Sequence, residues 1–106
     1  MIEQFEGKVV AEKYRVDSQV RESESGDLYF GRHIFMDKPV LLKILPPALA
    51  IDMRSVKRFS DEARKASTVV HPNILNVTDF GTDANGVEYT NFEGVDGETL
   101  KEALRR

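Results

Sequence analysis

The sequence has no cysteine, no tryptophan and only two histidines, His33 and His71. Without cysteine there can be no disulfide framework, no cysteine-ligated zinc module and no thiol nucleophile. Neither histidine has a His, Asp or Glu partner at a familiar metal-binding helical spacing, so no metal site is expected. No apolar run approaches the ~18–20 residues that span a bilayer. The opening stretch MIEQFEGKVV carries acids where a signal peptide carries Lys or Arg. The expected location is therefore cytoplasmic, with no membrane contact. An excess of positive charge is also missing. Fifteen Lys and Arg against 18 Asp and Glu leave a net charge of −3, which argues against a general nucleic-acid binder. Arg54, Lys57, Arg58, Arg64 and Lys65 do cluster, but with Asp61 and Glu62 among them they read as a solvated helix face.

What is present is a chain of 106 residues, 41% of them apolar, with six Phe and three Tyr, the make-up of a folded globule. That length allows one domain, which buries roughly 60–70% of its unfolded surface and leaves room only for a shallow or shared site. Alternation of Tyr14, Val16, Ser18 and Val20 with polar neighbours predicts a half-buried strand. Arg21 to Asp27, RESESGD, is a polar turn with one glycine, and Leu28 to Phe35 predicts a second strand in an antiparallel hairpin. Asp37-Lys38-Pro39 turns the chain into Val40 to Leu45, VLLKIL, a nearly all-apolar run that fits a central strand covered on both faces. Pro46-Pro47 ends it.

From Asp52, a suitable N-cap, the apolar residues Met53, Val56, Phe59, Ala63, Ala66 and Val70 step by three or four and predict a helix with one apolar stripe. His71-Pro72-Asn73 breaks it. Leu75 to Phe80 and Val87 to Phe92 predict two further strands that pair across Asp83-Ala84-Asn85-Gly86, where Asn-Gly supplies the positive φ of a tight hairpin. Gly94 to Gly97 reads as a connector and Glu98 to Arg106 as the first turns of another helix, so the chain is expected to end mid-architecture. The sum is an α+β fold: a five-stranded antiparallel sheet packed against one main helix.

Lys43 shares a strand face with Leu41 and Leu45, and an ammonium between leucines needs an anion or an exit to the sheet edge. Glu62 sits about 60° from the centre of the helix stripe, at 100° per residue, and points toward the margin of the core. Two readings are open: Lys43 pairs with Glu62 across the core margin, or Lys43 is an edge charge and Glu62 pairs on the helix surface with Lys65 or Arg58.

The order strand, loop, strand, strand with lysine, helix with glutamate, hairpin resembles the N-terminal lobe of a protein kinase, specifically that of bacterial eukaryotic-like Ser/Thr kinases. VLLK resembles the V-A-I-K motif, RFSDEARKAS the family's helix-C segment, His71-Pro72-Asn73-Ile74 its HPNI, and FEGVDGETLKEAL its hinge and following helix. The resemblance spans about residues 7–106. It implies that Lys43 holds the α- and β-phosphates of a nucleotide and pairs with Glu62, that Phe92 is the gatekeeper, and that the backbone from Glu93 to Val95 meets adenine. It sets Leu28 on the adenine-contacting valine and Gly26 on the third glycine of G-x-G-x-x-G.

The same alignment exposes departures. The first two loop glycines become Arg21 and Ser23, Glu22 and Glu24 bring negative charge toward a triphosphate, and Leu41 replaces the small residue whose space adenine fills. Asp79-Phe80-Gly81 spells D-F-G, but it falls in the strand hairpin ahead of the hinge, where no magnesium ligand is expected. No H-R-D-x-x-x-x-N catalytic loop occurs, so the resemblance implies no catalytic residue in this chain and treats residues 1–106 as one N-lobe without the second, catalytic lobe. The expected role is a non-catalytic, pseudokinase-like interaction or regulatory module, engaging a protein partner or a second copy through the apolar inter-lobe face. The alternative is the excised N-lobe of a longer, active ATP-dependent Ser/Thr kinase; a weaker third reading is a regulator that retains ATP without transfer. No cofactor is expected for this chain alone, and ATP with magnesium only within a complete kinase.

Overall fold

The computed structural model describes residues 5–22, 26–67 and 76–93. Expectations for Ser23, Glu24, Val70, His71 to Leu75, Val95 and the connector and helix after Glu93 lie outside these residues. The elements in chain order are β1 (Val9–Val10), β2 (Tyr14–Arg21), β3 (Asp27–His33), β4 (Lys38–Ile44), α1 (Pro47–Ala50), α2 (Met53–Ser67), β5 (Asn76–Thr82) and β6 (Glu88–Glu93). All strand pairings are antiparallel, in the order β1-β2-β3-β4-β6-β5.

The sheet and helix are those expected, with six strands rather than five. The added strand, β1, has two residues and joins β2 through Ala11 and Glu12, both left-handed at φ 53° and 62°. Such a turn normally advertises itself with Asn or Gly, and neither is present. Asp83 helps to hold it from the far hairpin, its Oδ2 accepting the Ala11 N–H at 3.2 Å.

β3 stops at His33 rather than Phe35. His33 Nδ1 accepts the Met36 N–H at 3.1 Å and its carbonyl accepts the Asp37 N–H at 2.8 Å, so Ile34 to Asp37 form a turn with Phe35 and Met36 facing outward. α2 starts as expected: Asp52 Oδ1 accepts the Arg54 N–H at 3.1 Å and Oδ2 accepts the Ser55 hydroxyl at 3.0 Å. Its stripe buries Phe59 and Ala63, but Met53 is 81% exposed because the first helical residue lies before the helix meets the sheet. The short helix α1, with Pro47 in its first turn, was not foreshadowed. The β5–β6 turn is built as the Asp83–Gly86 sequence demands: Asp83 Oδ1 accepts the N–H groups of Asn85 and Val87, each at 2.9 Å, and Gly86 has φ 82°.

Alternation along β4 gives the sheet two buried faces. Val40, Leu42 and Ile44 enter a core with Phe5, Val10, Tyr14, Val16, Tyr29 and Tyr89. Leu41 and Lys43 face the other way, toward the side that α2 covers with Phe59 and Ala63. Gly31 lets β2 and β3 close: a Cβ there would lie 2.5 Å from the Arg15 carbonyl oxygen.

Candidate functional site

The face opposite the main core gathers most of the residues singled out in the sequence. In the ladder, Leu28 stands opposite Lys43, Lys43 opposite Thr90, and Leu41 opposite Phe92. Because residues paired across strands share a face, Leu28, Leu41, Lys43, Thr90 and Phe92 form one patch. Lys43, Thr90 and Phe92 with Phe59, Glu62, Ala63 and Ala66 of α2 line a cleft of about 150 Å³. Glu93 lies at the end of β6, on the opposite face by alternation.

Of the two readings for Lys43, the structure selects the pair across the core margin. Lys43 Nζ lies 3.4 Å from Glu62 Oε2, with the lysine side chain 21% exposed and the glutamate 48%. On the helix surface Asp61 pairs with Lys57 at 3.5 Å and with Arg64 at 3.2 Å. A tight charge-assisted bond runs at about 2.7–2.9 Å, so the Lys43–Glu62 pair is loosely closed. The ammonium also lies 5.9 Å from the centroid of the Phe59 ring, which favours a cation there. Lys43 is thus a mostly buried cation with its head at the cleft wall and donors to spare for an anion.

Gly26 is placed where only glycine fits. Its φ is +135°, and a Cβ would lie 3.0 Å from Lys43 Cγ and Cε and 3.1 Å from Phe59 Cε2. The chain leaving the polar turn therefore rests on the lysine stem. Arg21 ends β2 opposite Leu28, and Glu22 accepts from Gln19 Nε2 at 3.5 Å on the exposed rim. Leu41 is 3% exposed, already packed into the face it was expected to crowd.

Asp79 of the D-F-G string lies in β5, in the hairpin as expected, and its Oδ2 is engaged on the core face. It accepts from Lys13 Nζ at 2.9 Å, Tyr14 Oη at 2.8 Å and Tyr89 Oη at 3.2 Å. Burial alone would raise the Asp79 carboxyl, but the hydrogen bonds from Lys13 and Tyr14 outweigh it and hold it below the usual range. Burial, then the neighbouring carboxylate, pushes the Tyr89 phenol up to about 12; burial and the bond to Asp79 raise Tyr14 as well. This node was invisible in the sequence, since its members are scattered from Lys13 to Tyr89. So was Asn91, fully buried in β6, whose Nδ2 donates to Thr78 Oγ1 at 2.9 Å and Glu93 Oε1 at 3.2 Å.

A lysine on β4, the fourth strand of the meander, paired with a glutamate on α2 above a cleft, is the arrangement that the kinase resemblance implied. The chain is 38% identical over 104 residues to the serine/threonine-protein kinase pkn3 of Myxococcus xanthus, covering 98% of this chain and 19% of that protein. It is 33% identical over 98 residues to the serine/threonine-protein kinase PrkC of Bacillus subtilis, covering 92% and 15%. These residues form an N-terminal lobe of the bacterial Ser/Thr protein-kinase family. The crystal structure of the Mycobacterium tuberculosis PknI kinase domain superposes with a TM-score of 0.63 at 31% identity, over 89% of this N-lobe and 37% of that domain. No family model matches the chain. The N-lobe thus spans less than a fifth of the curated relatives it matches here. Among its described residues no helix is long and apolar enough to cross a membrane.

Proposed function

We propose that this N-lobe is the nucleotide-holding part of an ATP-dependent Ser/Thr protein kinase. The observation that carries the reading is the Lys43–Glu62 pair: a mostly buried ammonium, oriented by a carboxylate 3.4 Å away, at the wall of an open cleft. Its chemistry fits a polyphosphate, because Lys43 keeps donors free of Glu62 and the Phe59 ring tolerates the charge in either state of occupancy. In this reading Lys43 binds the α- and β-phosphates, Glu62 orients it, Gly26 and Leu28 lie over the nucleotide, and Leu41, Phe92, Glu93 and Val95 surround the base. ATP supplies the phosphoryl group. Among the described residues no three metal-ligating side chains come together, so magnesium would be held by the nucleotide's own oxygens and by groups elsewhere. The half-buried Leu28 and Phe92, with Leu41 packed beneath them, mark the face on which a second lobe, or another protein partner, would close.

The relatives favour this over a purely non-catalytic module, but two residues support the latter: Arg21 where the loop needs glycine, and Leu41 where adenine needs room. Equilibrium binding of magnesium-ATP decides between them. Wild-type protein is expected to bind, and Lys43→Met to weaken binding at least about tenfold, the worth of one charge-assisted contact. The same substitution should change unfolding free energy by at most about 1 kcal/mol, because Glu62 is half exposed and keeps its water. A wild-type protein that ignores ATP would leave the non-catalytic module as the working function.

A further inference from the structure

Asn91 stands in the middle of a buried strand, fully inaccessible, where an apolar residue would be expected. Its Oδ1 has no hydrogen-bond partner among the described residues. An orphaned buried carbonyl is destabilising, and it offsets part of what the two bonds from the amide nitrogen contribute. Core packing alone is therefore a weak reason for an amide at this position.

What it does hold is specific. Residues Asn91 and Glu93 are two apart on β6 and share the face away from the cleft. Asn91 Nδ2 donates to Glu93 Oε1 at 3.2 Å and to Thr78 Oγ1 at 2.9 Å. The amide orientation is fixed by the carboxylate, since the flipped form would set oxygen against oxygen. Thr78 reaches it through a bulge: Val77 stands opposite Phe92 and Asp79 opposite Asn91, leaving Thr78 as the extra residue between. The bulge, the amide and the carboxylate thus form a brace behind the last residue of β6. On the front of that strand, one residue earlier, Phe92 lines the cleft.

The geometry points to Asn91 as a positioning residue for nucleotide binding: through Glu93, and anchored by Thr78, it fixes the backbone at the end of β6 in the orientation that meets the base. This inference rests on the nucleotide-holding reading above and assigns a residue to it that lies outside the cleft and touches no ligand. Its signature is selectivity. A brace acting on the base-contacting backbone affects adenosine and ATP alike, whereas Lys43, which acts on phosphates, affects ATP and leaves adenosine unchanged.

The experiment is calorimetric binding of adenosine and of magnesium-ATP to the protein as its cell makes it, with Asn91→Val, Glu93→Ala and the double variant, alongside thermal unfolding. Asn91→Val is expected to weaken both ligands by about the same factor, on the order of tenfold, with the protein still fully folded at the temperature of the titration. Glu93→Ala should do the same, and the double variant should be no worse than either single one, the mark of a shared interaction. Unchanged affinity in Asn91→Val, or strictly additive losses in the double variant, overturns the brace while leaving the nucleotide reading intact. If Asn91→Val does not fold, Glu93→Ala against Thr78→Val provides the same test from the outer ends of the brace, the exposed Thr78 and the half-buried Glu93. Failure of the wild type to bind either ligand overturns the nucleotide reading, and the brace with it.

Discussion

Asp79 shows how one side chain can set the pH limits of a fold. Its folded pKa lies below the unfolded value of about 3.9, so its contribution is complete above about pH 5 and disappears as the pH falls through the carboxylate range. Tyr89 works in the opposite direction. Its folded pKa is raised to about 12, so the neutral phenol supports the fold fully below pH 10 and loses that support between pH 10 and about pH 12. Urea titrations across pH should therefore show stability falling at both ends, and Asp79→Asn should flatten the acid limb and cost about 1–3 kcal/mol at neutral pH. A stability profile with no acid limb would contradict this. Glu12, exposed at φ 62°, makes the converse case: Glu12→Gly should raise stability by about 0.5–1 kcal/mol, because the left-handed turn costs glycine nothing sterically.

Elements were legible where their period was long enough to read. β2, β3, β4 and α2 each carry several turns of alternation or stripe, and the Asp83–Gly86 turn names its own hairpin. β1 offers only Val9 and Val10, too few to show a period, and the bulge at Thr78 leaves no mark because it changes register and not composition. The Lys43–Glu62 pair was readable because a charge inside an apolar strand announces its need of a partner. Asn91 was not, since one polar residue in β6 looks like any outward position until the opposite face proves to be buried too. Two substitutions test the packing described. Gly31→Ala should cost about 3 kcal/mol, at the upper end of overpacking, because its methyl would meet the Arg15 carbonyl. Leu42→Ala, in a fully buried position, should cost about 2–5 kcal/mol by leaving a cavity. Chemical denaturation measures both.

At the scale of the whole molecule, the strand order β1-β2-β3-β4-β6-β5 divides the sheet into two pieces of different character. The first four strands form a meander in which every neighbour in space is a neighbour in sequence. β5 and β6 form a hairpin of their own, and its strand pairing with the meander runs through β6 against β4, with Ile44 opposite Tyr89. Everything between those two residues, α2 included, is the loop that this docking must close. Closure entropy grows with the logarithm of loop length, and contacts this distant in sequence are slow to form. The folding transition state is thus expected to contain a structured meander and hairpin with the β4–β6 seam still open. Substitutions at the seam would then act mainly on the unfolding rate, and substitutions inside the meander on the folding rate. The candidate site straddles that seam, with Lys43 on one side and Thr90 and Phe92 on the other, so it comes into being at the last step of folding and is the first thing lost when the hairpin lifts away.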